Sequence, residues 1–105
     1  MRTDTIEAVG IDKGGSLWVK PATAALPHIY REAMEVNWDA ERRCLYSPKP
    51  REWSYTAWFC QIICAAHYQG VNLELAQTTS WSGTTPELQQ AIKDSASRSS
   101  PCVAI

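Results

Sequence analysis

The sequence predicts an α+β fold: one domain in which an antiparallel sheet of about five strands, in ββββαβα order, packs against one long buried helix. Three observations carry this. Short apolar runs alternate with turn residues up to residue 50. The stretch Ser54 to Tyr68 is almost wholly apolar, with only Thr56, Gln61 and His67 clearly polar after Ser54. A second stretch, from Thr85, carries helix-start signals. A chain of 105 residues makes one domain, assigned to residues 1–97, with 98–105 expected to be a disordered tail because Ser dominates the approach to it.

Ile6 to Ile11 reads as a strand and Asp12-Lys13-Gly14-Gly15 as a turn, because Gly takes the positive φ of tight hairpins. Ser16 to Lys20 is the returning strand, ended by Pro21. From Ile29 to Asp39, Tyr30, Met34, Val36 and Trp38 share one side with Glu32, whereas Arg31, Glu35, Asn37 and Asp39 share the other. That period of two predicts a strand with one wet face, although His28 to Ala33 also suits a helical turn. Asp39 to Arg42 turns the chain and Arg43 to Tyr46 returns it. Pro48 and Pro50 then end the sheet, since proline cannot donate to a ladder.

Ser54 is placed to cap the central helix and Gly70 to stop it. A helix with so little polar surface must be covered by sheet, second helix, second copy or ligand. Its apolar run is short for a bilayer, which predicts a core helix and not a membrane span. Val71 to Leu75 alternates as a strand, extensible to Trp81, and Ser82-Gly83-Thr84 turns. Thr85-Pro86-Glu87 opens the second helix with a cap, a proline at the first position and an acid in the first turn. Leu88, Ala91 and Ile92 form its inner face.

Composition narrows the function. An apolar fraction of 45% and a charged fraction of 20% are those of a globular domain. Ten Lys plus Arg against eleven Asp plus Glu leave a net charge of −1, so there is no global field for nucleic acid or an anionic membrane. Met1 to Thr5 does not lead into an apolar segment, so a cytoplasmic location is expected, with the four Cys as free thiols.

Several stretches together form a spaced pattern. They are Gly10-Ile11-Asp12 with Gly15 and Leu17-Trp18-Val19-Lys20-Pro21; Ile29 through Asp39; Tyr46-Ser47-Pro48-Lys49-Pro50-Arg51-Glu52-Trp53; and Thr79 with Trp81. The pattern resembles small bacterial integron gene cassette proteins over residues 8 to 92. That resemblance implies a mobile, bacterial, cytoplasmic accessory gene product. The family carries no assigned reaction, cofactor or catalytic residue, so it places no site on this chain.

Few residues are arranged to carry chemistry. Cys60, Cys64 and His67 share a helix face and, with Cys44, could begin a zinc site. Such sites usually present their Cys pair in a loop or knuckle and no second pair exists here, so these residues read more simply as small core residues. No metal and no cofactor are expected. Mid-helix Cys60 and Cys64 are poor nucleophiles, and no phosphate-binding or nucleophile-elbow motif occurs. An enzyme is therefore the alternative expectation, using Glu32, His28 or Cys44 in a pocket between helix and sheet. Glu32 interrupts an apolar side but pairs as readily with Arg31 or Arg43 at a sheet edge. The basic residues Arg42, Arg43, Lys49 and Arg51 are offset by Asp39, Glu41 and Glu52, which argues against nucleic acid. The last four residues, Cys102 to Ile105, match a prenylation box by position only.

The aromatic residues carry the leading expectation. Five Trp, with Tyr30 and Tyr55, are too many for a small core to hide entirely. Trp38, Trp53, Tyr55 and Trp58, with Glu32 and Tyr30, are the predicted binding residues of a non-catalytic module. It would self-associate as a dimer, or bind a protein partner or a small apolar ligand, without nucleic acid or membrane.

Overall fold

A computed structural model of the chain describes residues 2–32, 35–47 and 54–97. Trp53, the tail at 98–105 and the Cys102 box lie outside them. The elements are β1 (Arg2–Ile11), β2 (Leu17–Pro21), a 3-10 turn (Ile29–Arg31), β3 (Asn37–Asp39), β4 (Cys44–Ser47), α1 (Tyr55–Tyr68), β5 (Val71–Glu74), β6 (Ser80–Ser82) and α2 (Pro86–Ser97).

The α+β class is as predicted, but among the described residues the sheet is mixed and has six strands, not an antiparallel five. Its order is β3-β4-β2-β1-β5, with β6 also on β1. β1–β2, β2–β4 and β3–β4 are antiparallel, whereas β5 and β6 both run parallel to β1. Connectivity explains the difference. α1 carries the chain from the end of β4 back to the starting end of β1, so the next strand runs the same way as β1. β1 is long enough to hold two partners on one flank. Arg2 to Thr5 pair with Val71 to Glu74, and Ala8 to Gly10 pair with Ser80 to Ser82.

The break between those two ladders coincides with a bulge in β1. Ile6 pairs with Pro21 and Ala8 with Lys20, leaving Glu7 as the extra residue. Thr79, 6% exposed, closes the gap. Its hydroxyl donates to the Ile6 carbonyl at 2.7 Å and accepts from the Ala76 N–H at 2.9 Å. The extended segment expected from Val71 toward Trp81 is thus two strands joined by a side-chain latch.

The strand predicted over Ile29 to Asp39 is corrected as well. Ile29 to Arg31 form the 3-10 turn, Glu35 has φ of 62°, and among the described residues of this stretch only Asn37–Asp39 pair; Met34 lies outside them. The alternation placed Tyr30 inward. The turn instead buries Ile29 completely and leaves Tyr30 58% exposed.

The helices form as their end signals predict. Ser54 Oγ accepts the Ala57 N–H at 3.1 Å. The α1 C-terminus closes through Gly70 N–H to the His67 carbonyl at 2.9 Å, with Gly70 at φ +88°. The Gly70 carbonyl then accepts the Arg2 N–H at 3.0 Å, tying the helix end to the start of β1. Thr85 Oγ1 accepts the Leu88 N–H at 3.1 Å in α2.

Both helices lie to one side of the sheet. α1 packs on β2, β4 and β5, and α2 packs on α1. The core joins Trp58, Phe59, Ile62, Ile63, Ala65 and Ala66 of α1 to Ile6, Val9, Leu17, Val19, Leu45, Val71 and Leu73 of the sheet, with Ile92 from α2. Each large side chain so buried stabilises by about 1.5–3 kcal/mol. α1 is not buried all round, since its last residue, Tyr68, is 61% exposed. Side chains alternate across a strand, so Trp18 and Lys20 project from the face opposite the buried Leu17 and Val19. Among the described residues no helix covers that second face.

Candidate functional site

The predicted binding residues fall in different environments. Trp58 is in the core at 7% exposure. Trp38 is half-buried on β3, opposite Leu45, and packs against the core. Tyr55, the first residue of α1, is half-buried and its hydroxyl donates to the Gly15 carbonyl at 2.9 Å. It therefore pins the β1–β2 turn to the helix start. Tyr30 and Glu32 are exposed.

Glu32 and Tyr30 belong to a surface at the far end of α1. The Gln69 side-chain amide donates to the Glu32 carboxylate, which joins the 3-10 turn to the helix C-terminus. Tyr30 and Tyr68 are the large hydrophobics left exposed among the described residues. His28 meets the Tyr30 ring edge-on at 6.2 Å, the Arg31 guanidinium lies 5.9 Å from that ring, and His67 meets Tyr68 edge-on at 6.2 Å. Sequence reasoning missed Tyr68. Its signal was position: the last helical residue before a stop glycine has no later turn to cover it.

A second feature lies on the helix-free face of the sheet. One row across it runs Asn37, Tyr46, Trp18, Gly10 and Ser82. Beside this row is an open cleft of about 330 Å³, lined by Trp18, Lys20, Glu41, Arg42 and Cys44. The turn after β3 builds one wall. Asp39 Oδ1 accepts the N–H groups of Glu41 at 3.0 Å and Arg42 at 3.1 Å. This folds Arg42 back so that its guanidinium lies 5.4 Å from the Trp18 ring centroid. Lys20 is engaged by Glu7 at 3.3 Å.

Cys44 lines the cleft but is 1% exposed. Burial, with help from the Asp39 charge, pushes its thiol above the ordinary range despite Arg42 and Lys20 nearby. It is held as a neutral thiol, the unreactive form. Burial likewise raises Cys60, partly opposed by a hydrogen bond with Ser95. His28 and Glu32 are not among the residues of the Cys44 cleft, so that cleft does not unite the three candidate polar groups. Among the described residues no three His, Cys, Asp or Glu side chains converge as metal ligands, so Cys60, Cys64, His67 and Cys44 do not form a set. No described helix is long and apolar enough to cross a membrane.

The family model of the integron cassette protein Hfx_Cass5 matches residues 4–79. That span takes in both surfaces above and the sheet from β1 through β5. Among solved structures, the chain is similar to an integron cassette protein Hfx_Cass5 from the mobile metagenome of the North West Arm sewage outfall. The two are 44% identical, over 91% of this chain and 97% of that one, with a TM-score of 0.47. No curated protein matches. The resemblance to cassette proteins spans residues 8 to 92 and the family model matches 4–79, which is most of the chain, so the chain belongs to the Hfx_Cass5 integron cassette protein family.

Proposed function

We propose that the protein is a non-catalytic interaction module of a bacterial cell's accessory gene set, and that it works as a homodimer through the Tyr30–Tyr68 end of the molecule. The observation behind this is the pair of exposed rings, at 58% and 61%, on two elements tied together by the Gln69–Glu32 hydrogen bond. Tyrosine and arginine are residues that interfaces favour as anchors, and Arg31 stands beside Tyr30. A protein that leaves two large rings in water while burying Ile29 and Ile63 nearby in sequence gains by covering them. The aromatic surface of the module therefore centres on Tyr30, Tyr68 and Glu32. Tyr55 and Trp38 pack against the core and support the fold instead.

Size-exclusion chromatography with light scattering tests this. Wild-type protein is expected to elute as a dimer and Tyr30→Ser/Tyr68→Ser as a folded monomer. A wild type that stays monomeric at high concentration would remove the proposal. A dimer untouched by the double substitution would put the contact elsewhere and remove the surface assignment.

A further inference from the structure

We propose that the cleft on the helix-free face of the sheet binds a small planar aromatic carboxylate, its ring on Trp18 and its carboxylate on Arg42. The site is distinct from the tyrosine surface. Trp18 is fixed from below, because its indole rests on Gly10, where a Cβ would fall 2.5 Å from Cε2. A ring already held flat loses little freedom when a second ring stacks on it.

Arg42 supplies the charge. Among the described residues its guanidinium makes no ion pair and only overlies the indole. At an exposed position that cation–π contact is weak, and a planar fork binds a carboxylate through two parallel hydrogen bonds. Arg42 therefore moves from the ring's face to its margin and exchanges a weak contact for a stronger one. Lys20 is already engaged by Glu7, so it adds less.

The other walls narrow the ligand. Glu41 sets a negative charge in the lining, which disfavours dianions such as phosphate esters. The buried Cys44 thiol, kept neutral, presents an uncharged surface. A volume of about 330 Å³ is at the small end for ligand pockets, which suits one fused ring pair or less.

The test uses naphthalene-2-carboxylate as the probe, titrated into 15N-labelled protein while the Trp18 indole N–H resonance is followed. A saturable shift is expected. The neutral naphthalene-2-carboxamide, and the probe with Arg42→Gln, should each bind at least about tenfold more weakly, the scale of a lost charge-assisted pair. Acetate alone should not shift the resonance. Equal binding of acid and amide by wild type, full affinity in Arg42→Gln, an acetate effect matching the probe, or no saturable shift would each overturn the assignment. The acid–amide comparison needs no variant, so it stands even if the substitution perturbs the turn.

Discussion

Trp18 lies across Gly10. The two are direct partners in the β1–β2 ladder, and the indole occupies the space a side chain at position 10 would need. Gly10→Ala places its Cβ 2.5 Å from Cε2 and 2.8 Å from Nε1 of a ring that cannot bend. The ring must tilt or the strands must part. Overpacking of this kind costs about 1–3 kcal/mol. Each kcal/mol lowers the Tm by about 4–8 °C in a domain this small. Thermal unfolding followed by Trp fluorescence measures it, and an unchanged Tm would mean the ring is not seated there.

Two other glycines separate backbone conformation from steric overlap. Gly70 has φ +88° with open space where a Cβ would sit, whereas Gly83 has φ +68° and a Cβ there would strike the Ile11 carbonyl. Gly70→Ala is expected to cost about 1–2 kcal/mol, the left-handed penalty alone. Gly83→Ala should cost clearly more, because β1 must also move. Urea unfolding of the two variants gives the ordering, and equal losses would contradict it.

Asp4 makes stability depend on acid. Burial raises its pKa, but hydrogen bonds from the Ala24 and Thr23 N–H groups, the Thr23 hydroxyl and the Thr5 N–H outweigh burial and leave it below the ordinary value of 3.8. The ionised group accepts from Ala24 at 2.8 Å and from the Thr23 N–H at 3.1 Å, anchoring the connector after β2. A depressed folded pKa gives stability that is complete above the unfolded pKa and is lost as pH falls through the folded one. The loss therefore begins near the ordinary value of 3.8 and continues below it. Asp4→Asn should be less stable at neutral pH and should flatten this acid arm. A variant that keeps the wild-type acid slope would assign the arm to other carboxylates.

Thr79 should be sensitive to a change of one group. Thr79→Val keeps the shape but removes the hydroxyl that bridges Ile6 and Ala76. A buried carbonyl is left without its donor at the β1 bulge, at a cost of about 1–3 kcal/mol. Thr79→Ser retains the hydroxyl and should recover most of it. Amide hydrogen exchange at Ala76 is the local readout, and protection equal in Thr79→Val and wild type would refute the latch.

The elements were legible where one local signal decides. Gly14-Gly15 marked the first hairpin, Ser54 and Gly70 bounded α1, and Thr85-Pro86 opened α2. Alternation states which way a side chain points and not which strand lies beside it, so Val71 to Glu74 read as a strand while its parallel pairing with Arg2 to Thr5 did not. Between Ile29 and Val36 polar and apolar residues alternate by coincidence, and a 3-10 turn with Glu35 at φ 62° satisfies the same letters while burying Ile29. Of the two surfaces, Tyr30 and Glu32 were named from the sequence, and Tyr68 joined them only through Gln69. Trp18 could have been placed outward from Leu17 and Val19. Its meeting with Arg42 could not, because a turn set by Asp39 brings them together.

The two parallel partners of β1 also set an order of events. β1 leaves the ribosome before its parallel partners, and one whole flank waits for residues 71 to 82. Until those emerge, β1, an interior strand of the finished sheet, is an edge with a row of open amides. Pairings this distant in the chain are slow to close because a long loop must be ordered first. The nascent chain can form its β1–β2 hairpin early, but the sheet becomes complete only when residue 82 has emerged. Translation and final folding are therefore coupled at residues 71 to 82, where a pause or truncation would strand an unpaired flank of β1 and invite aggregation.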